Sequence, residues 1–264
     1  MAGQFIPSRA LFITNGPNPI VIGDTIAALP TAQALAKADH IDCVIMSTPS
    51  VVDLFDVGVP QYIIGSAAAA ETEIVLTLDT AVVYSRYSAM NLCLESLYAL
   101  AAKEAGFDIG ALEPLQLKTC LQCDIPKKPF MVLAPFSHSD LGTKTKLWDF
   151  GKWCALMQRL ADYEMIVLGT IAEPELIRFA AHKRMLNRLL GEIAYAMLRA
   201  QAVITVDNGM GWLARALDVP HVQILSANMA PNFAWHPGEN GRNISNCHTA
   251  TVDDVVSAIL SLRN

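Results

Sequence analysis

Charge is scarce in this chain: 17% of its 264 residues are charged, against 53% hydrophobic. That balance excludes a disordered, self-repelling chain and implies an ample core. A basic stripe is missing too. The 19 Lys and Arg are outnumbered by 25 Asp and Glu, the net charge is −6, and the basic residues are scattered. Nucleic acid is excluded as a partner, because neutralising phosphates needs an electropositive face. The apolar surplus forms no spanning run of 18 or more residues. The nearest approach, 67–83, is interrupted by Glu71, Glu73 and Asp79. The chain does not open on the basic and apolar regions of a secretory signal. A soluble, cytoplasmic protein is expected. Its apolarity leaves room for a sheet buried on both faces, a homo-oligomeric interface or contact with the inner face of the membrane.

Metal-ligand spacing is equally scarce. Of six cysteines (43, 93, 120, 123, 154 and 247), Cys120 and Cys123 alone form a CxxC. A zinc ribbon wants a second such pair, and His138, His236 and His248 do not supply one at recognisable spacing. Reduced thiols, no metal and no bound cofactor are expected.

What is present is alternation. "ALFITN", "IDCVIMST", "QYIIGS" and "TEIVLTLD" read as extended, with helices from near Asp24 ("DTIAALPTAQALAKA"), over "SVVDLFDVG" and over "AMNLCLESLYALAAKEAG". The last ends on a glycine stop, and its apolar stripe reads as packing. Prolines 114, 126 and 129 then break the pattern and mark a linker. Alternation resumes with strands "FMVLAPFS", "YEMIVLGT", "VITVD" and "HVQILS". Helices are read over "DFGKWCALMQRLAD", "EPELIRFAAHKRML", "LGEIAYAMLRA", "GWLARALD" and "VDDVVSAILSLRN". Such alternation implies parallel sheets covered by helices, with ligands at the carboxyl ends of the strands. The expected fold class is α/β, two Rossmann-like domains facing across a cleft. The first spans 1–118 and the second 119–264.

Polar residues gather at four of the predicted strand ends: Gly23 and Asp24; Ser137 to Ser139 running on to Lys144 and Lys146; Glu173; and Asp207, Asn208, Gly209 and Gly211. Glycines opening a helix offer amides and the positive helix end to an anion. Plainer roles stand beside that one. Asp24 also suits a helix N-cap, the lysines suit solvated loops, and Glu173 suits the first turn of its helix. Asp207, at the end of an apolar strand, needs a partner or a capping role to offset its desolvation.

"GDTIAALP", "TKLWDFGKWCALMQRL", "VLGTIAEPE" and "LLGEIAYAMLRAQAVITVDNGMGWLARALDVPHVQIL" together resemble family 9 glycosyltransferases, the lipopolysaccharide heptosyltransferases, in the right order from about Leu11 onward. The resemblance implies a GT-B fold and inverting, metal-independent transfer of a sugar from an ADP- or GDP-linked donor to a glycan or lipid-linked acceptor. It implies Asp24 as general base and Lys146 as counter-charge to the diphosphate leaving group. It implies a donor site of Gly23, Lys144, Glu173 (the nucleoside), Asp207 (the sugar), Asn208, the amides near Gly209 and Gly211, and Trp212. The chain departs from the pattern at Trp212, where the family has histidine, and at Thr170 and Ile171, where it has glycine and proline. Indole carries one donor and no acceptor. A nucleotide-sugar-binding protein of the same fold without turnover is therefore the alternative reading.

Overall fold

The computed structural model describes residues 8–14, 22–90, 92–137, 145–170, 173, 178–227, 229 and 239–262. They divide into two units, Met1–Thr119 and Cys120–Asn264.

In the first unit, β1 (Ser8–Thr14) lies between β2 (Cys43–Met46) and β5 (Thr72–Asp79), with β4 (Gln61–Ile63) outside β2, all parallel. Leu11 and Ile13 of β1 and Val44 and Met46 of β2 are fully buried. Helix α1 (Ile22–Lys37) buries eleven of its sixteen residues. Pro30 removes the bond that an N–H there would make to Ile26, a loss of about 3 kcal/mol in an exposed helix. Burial on nearly all sides holds this helix together regardless. Helices α2 (Ala67–Ala70), α3 (Thr80–Tyr87) and α4 (Leu94–Glu104) follow, and α4 packs on α1. The expected helix over "SVVDLFDVG" is not formed. Pro49–Val51 make one 3₁₀ turn, and β3 (Phe55–Asp56) then pairs antiparallel with β6 (Gln116–Leu117), inside the stretch read as linker.

In the second unit six parallel strands run in the order β12-β11-β10-β7-β8-β9. They are β7 (Phe130–Ala134), β8 (Glu164–Gly169), β9 (Lys183–Leu186), β10 (Val203–Val206), β11 (His221–Ile224) and β12 (Gly241–Ile244). The helices are α5 (Phe150–Arg159), α6 (Leu190–Met197), α7 (Gly209–Ala216) and α8 (Val252–Ser261). Met131, Leu133, Ile204, Val206, Val222 and Ile224 form one core with Trp153 and Leu156 of α5 and Val255 and Ile259 of α8. The Trp148 and Trp153 rings meet edge to face at 5.0 Å, and Trp148 Nε1 donates to the Ala250 carbonyl. Trp148 thus fastens the start of α5 to the loop before α8.

Two further sequence expectations are corrected here. "HKRML", read as the end of a helix, contains β9; "GRNI", whose first two residues close a Pro/Asn/Gly-rich stretch read as loop over 228–242, is β12. Both are edge strands with mixed polarity. Their neighbours' ladders hold them, and that is invisible to periodicity.

Candidate functional site

From β7 the second sheet grows outward through β8 and β9, and from β10 it grows the other way through β11 and β12. The point of reversal lies between β7 and β10, paired in register from Val132↔Val203 to Ala134↔Thr205. In open parallel sheets the crevice beyond the strand ends at such a point is where ligands bind. Asp207 and Asn208 follow β10 directly into it.

Asp207 is buried, its side chain 8% exposed, and its Oδ2 lies 3.1 Å from Nζ of Lys146, itself 28% exposed. Lys146 arrives from the loop after β7, so residues 61 positions apart in sequence become one ion pair at the switch point. A cavity of about 380 Å³ opens nearby between aromatic walls that include Phe136, Trp148, Phe150 and Phe179. Neither member of the ion pair lines it, and the paired charges mark the site better than the volume does.

Asn208 caps α7. Its Oδ1 accepts from the Met210 and Gly211 amides at 2.9 and 3.3 Å, and its Nδ2 donates to the Ala134 and Phe136 carbonyls at 3.1 and 2.7 Å. One side chain therefore ties β7's exit to the helix after β10. Among the amides expected to meet a diphosphate, this cap engages those of Met210 and Gly211. Gly211 has a packing reason of its own. A Cβ there would lie 2.8 Å from Gln223 Nε2 and 3.1 Å from Thr205 Oγ1, both on buried strand residues beneath α7. Gly211→Ala is expected to destabilise the protein by about 1–3 kcal/mol through overpacking, read from the denaturation midpoint. An unchanged midpoint would show that Gln223 can step aside.

Glu173 accepts from the Thr170 amide through Oε2 at 2.7 Å, and its own amide donates to the Thr170 carbonyl, closing a turn at the end of β8. Trp212 is buried in α7, 8% exposed. Lys144, Ile171, His138, Ser139 and His236 lie outside the described residues.

Asp24 and Gly23 belong to the first unit. Helix α1 starts at Ile22, so Asp24 sits in its first turn, not at its N-cap, where its charge still meets the positive helix end. Thr25 Oγ1 donates to Thr48 Oγ1 at 2.9 Å, tying this turn to the end of β2. Tyr98 of α4 is fully buried and shares a hydrogen bond of 2.6 Å with Thr80. Burial holds its hydroxyl well above the ordinary phenol value, and the Asp24 and Asp79 carboxylates push it further, so it stays protonated. Sequence reasoning missed Tyr98 as part of these surroundings. In the sequence it is one more apolar position in a helical stripe.

The six cysteines are free thiols, and Cys123 donates to the Glu192 carbonyl at 3.4 Å. Burial pushes the Cys123 thiol up, which disfavours the thiolate that metal binding and redox exchange need. No group of His, Cys, Asp and Glu among the described residues is placed to hold a metal ion. No helix among them is long and apolar enough to cross a membrane.

The family model described as "Glycosyltransferase family 9 (heptosyltransferase)" matches residues 89–251, more than half of the chain. The chain belongs to glycosyltransferase family 9. No curated protein matches it. Solved structures do, over nearly the whole length. A family 9 glycosyl transferase from Veillonella parvula DSM 2008 is 12% identical with a TM-score of 0.69, over 97% of each chain. E. coli heptosyltransferase WaaC with ADP is 15% identical, TM-score 0.64, over 96% of this chain and 99% of that one. E. coli ADP-heptose lps heptosyltransferase II is 14% identical, TM-score 0.58, over 96% and 98%. At such identities the likeness is one of fold, the GT-B type built on Rossmann-like domains. The family match contains Lys146, Glu173 and the whole turn from Asp207 to Trp212, whereas Asp24 lies before it. Of the family 9 features in the second unit, Lys146, Asp207 and Asn208 meet at the switch point, whereas Glu173 lies past the end of β8; the chain is a heptosyltransferase-like glycosyltransferase.

Proposed function

We propose that this protein transfers a heptose-like sugar, with inversion, from a nucleoside diphosphate donor (ADP- or GDP-linked) to a glycan or lipid-linked acceptor at the cytoplasmic face of a membrane. The acceptor hydroxyl gives its proton to the Asp24 carboxylate as its oxygen bonds to the anomeric carbon. The bond from that carbon to the diphosphate oxygen breaks, and its electron pair leaves with the nucleoside diphosphate. Negative charge then grows on the leaving oxygen, and a fixed cation there lowers the barrier. Lys146 supplies the charge in this scheme, which needs no metal. Glu173 and the turn after β10 bind the rest of the donor.

The observation that carries the reading is the Lys146–Asp207 pair, a lysine fixed at the switch-point end of β10 in a family 9 chain. Calorimetry with ADP and GDP tests it. The native protein is expected to bind one of them saturably, and Lys146→Ala to bind it about 10- to 100-fold more weakly, the loss expected for a charge-assisted contact. Failure of the native protein to bind either nucleotide would sink the proposal.

A further inference from the structure

Basic residues are nearly missing from the unit that holds Asp24. Residues 1–119 carry twelve Asp and Glu against five Lys and Arg, a net charge of −7, whereas 120–264 carry 13 against 14. The chain's whole negative balance therefore lies in the first unit. Between Arg9 and Arg86 the sequence contains a single basic residue, Lys37. The four parallel strands of this unit end at Thr14, Met46, Ile63 and Asp79. The segments at those ends, 14–24, 46–54, 63–66 and 79–83, hold three carboxylates, Asp24, Asp53 and Asp79, and no Lys or Arg. Four of the five basic groups are also held by carboxylates. Arg9 lies 3.0 Å from Asp42 and 3.3 Å from Asp39, Arg86 lies 2.8 Å from Glu104, and Lys37 pairs with Glu113. Arg9 and Lys37 sit at the opposite end of the sheet, where β1 begins and α1 finishes. Lys118 does reach a strand-end segment, but Asp53 neutralises it there at 2.6 Å.

We infer that the acceptor carries no phosphate or carboxylate close to the hydroxyl that receives the sugar, and that the first unit recognises it through neutral hydroxyls. The inference rests on the proposed function, in that Asp24 is taken to accept the proton of that hydroxyl, which brings the acceptor within hydrogen-bond reach of it. Asp24 and Asp79 both act on the Tyr98 hydroxyl, so two carboxylates share these surroundings. A phosphate adds close to two negative charges, and its recognition ordinarily recruits Arg or Lys. In this unit it would give up hydration and meet like charge instead. Like charges set against each other discriminate between partners: they repel an anionic acceptor and leave a neutral one unaffected.

Paired acceptors test this. Transfer from ADP-heptose is measured to a lipopolysaccharide-derived core oligosaccharide and to the same oligosaccharide after removal of its phosphates, at about 0.05 M and about 0.5 M salt. The dephosphorylated acceptor is expected to be used with a kcat/KM on the order of tenfold higher at low salt. That advantage is expected to shrink severalfold at high salt, because screening weakens the repulsion. Steric exclusion of phosphate would instead give a difference indifferent to salt. Asp53→Asn supplies a second readout. It removes one carboxylate and releases Lys118, and Asn tolerates the left-handed backbone at this position, φ 58°. The pair is half exposed on both sides, so its loss changes stability little. In this variant the preference for the dephosphorylated acceptor is expected to fall about threefold at low salt. Three results would overturn the inference: equal or better use of the phosphorylated acceptor, a preference that salt leaves unchanged, or one that Asp53→Asn leaves unchanged or enlarges. Transfer to neither acceptor by a protein that binds ADP-heptose would instead refute the proposed transfer, on which the inference depends, so the two failures are distinguishable.

Discussion

Asp24→Asn is expected to lower turnover by about 10²–10⁴-fold, the usual worth of a general base, while ADP affinity stays at the native value. The substitution keeps the size of the side chain and removes its ability to take a proton. Asp24 belongs to the unit 1–119, and the Lys146–Asp207 pair belongs to the unit 120–264, so the nucleotide contacts proposed for that pair are expected to stay intact. The measurement is ADP release from ADP-heptose in the presence of a lipopolysaccharide-derived acceptor, with calorimetry on the same preparations. Equal turnover by native and variant protein would remove Asp24 from the mechanism. A native protein that binds ADP-heptose yet transfers nothing would support binding without turnover, the alternative that Trp212 raises.

Lowering the pH from 6.5 to 4 is expected to remove about 3 kcal/mol of stability through His221 alone. Its ring is buried beneath α7, and Nδ1 lies 2.7 Å from the Val219 carbonyl, an acceptor, so Nδ1 carries the proton of the neutral ring. Burial pulls its pKa from 6.5 down to about 4; Arg215 lowers it as well, while the Val219 carbonyl and Asp218 work the other way. The folded state therefore refuses a proton that the unfolded chain accepts between these values. Stability is complete above pH 6.5, falls as the pH drops, and levels off below about 4 as far as this group is concerned. Chemical denaturation of native protein and His221→Asn, which keeps a donor near the Nδ1 position, separates this from the carboxylates. The variant should lose most of the slope over that window, and parallel curves would show that His221 does not titrate on unfolding.

Much of the second unit was legible from short-range pattern. The strands β7, β8 and β10 are mainly apolar runs bounded by turn residues, β11 alternates His and Gln with Val and Ile, and all four are mostly buried. A run with that composition has few alternatives to the middle of a parallel sheet. The edges were not legible in the same way. β9 and β12 carry Lys, Arg and Asn, and β3 has two residues. What makes them strands is a neighbour's backbone, which no local window contains. The starting point of α1 shows the same limit. Asp24 looked like a cap, yet the helix begins at Ile22, and helix ends depend on contacts beyond the helix itself.

The candidate site divides along similar lines. The order of polar residues along the chain, Asp24, Lys146, Glu173 and Asp207 at strand ends, was readable directly, because side-chain chemistry and turn composition are local properties. Partnership was not. That Asp207 holds Lys146, that Asn208 spends its amide group bridging β7 and α7, and that Gly211 makes room for Gln223 are all consequences of strand order. That order places β10 beside β7, although some seventy residues separate them. Sequence by itself determined which groups were available and at which ends of which elements. The tertiary structure alone decided which of them meet, because pairing of charges depends on distances of a few ångströms that only the winding of the sheet sets.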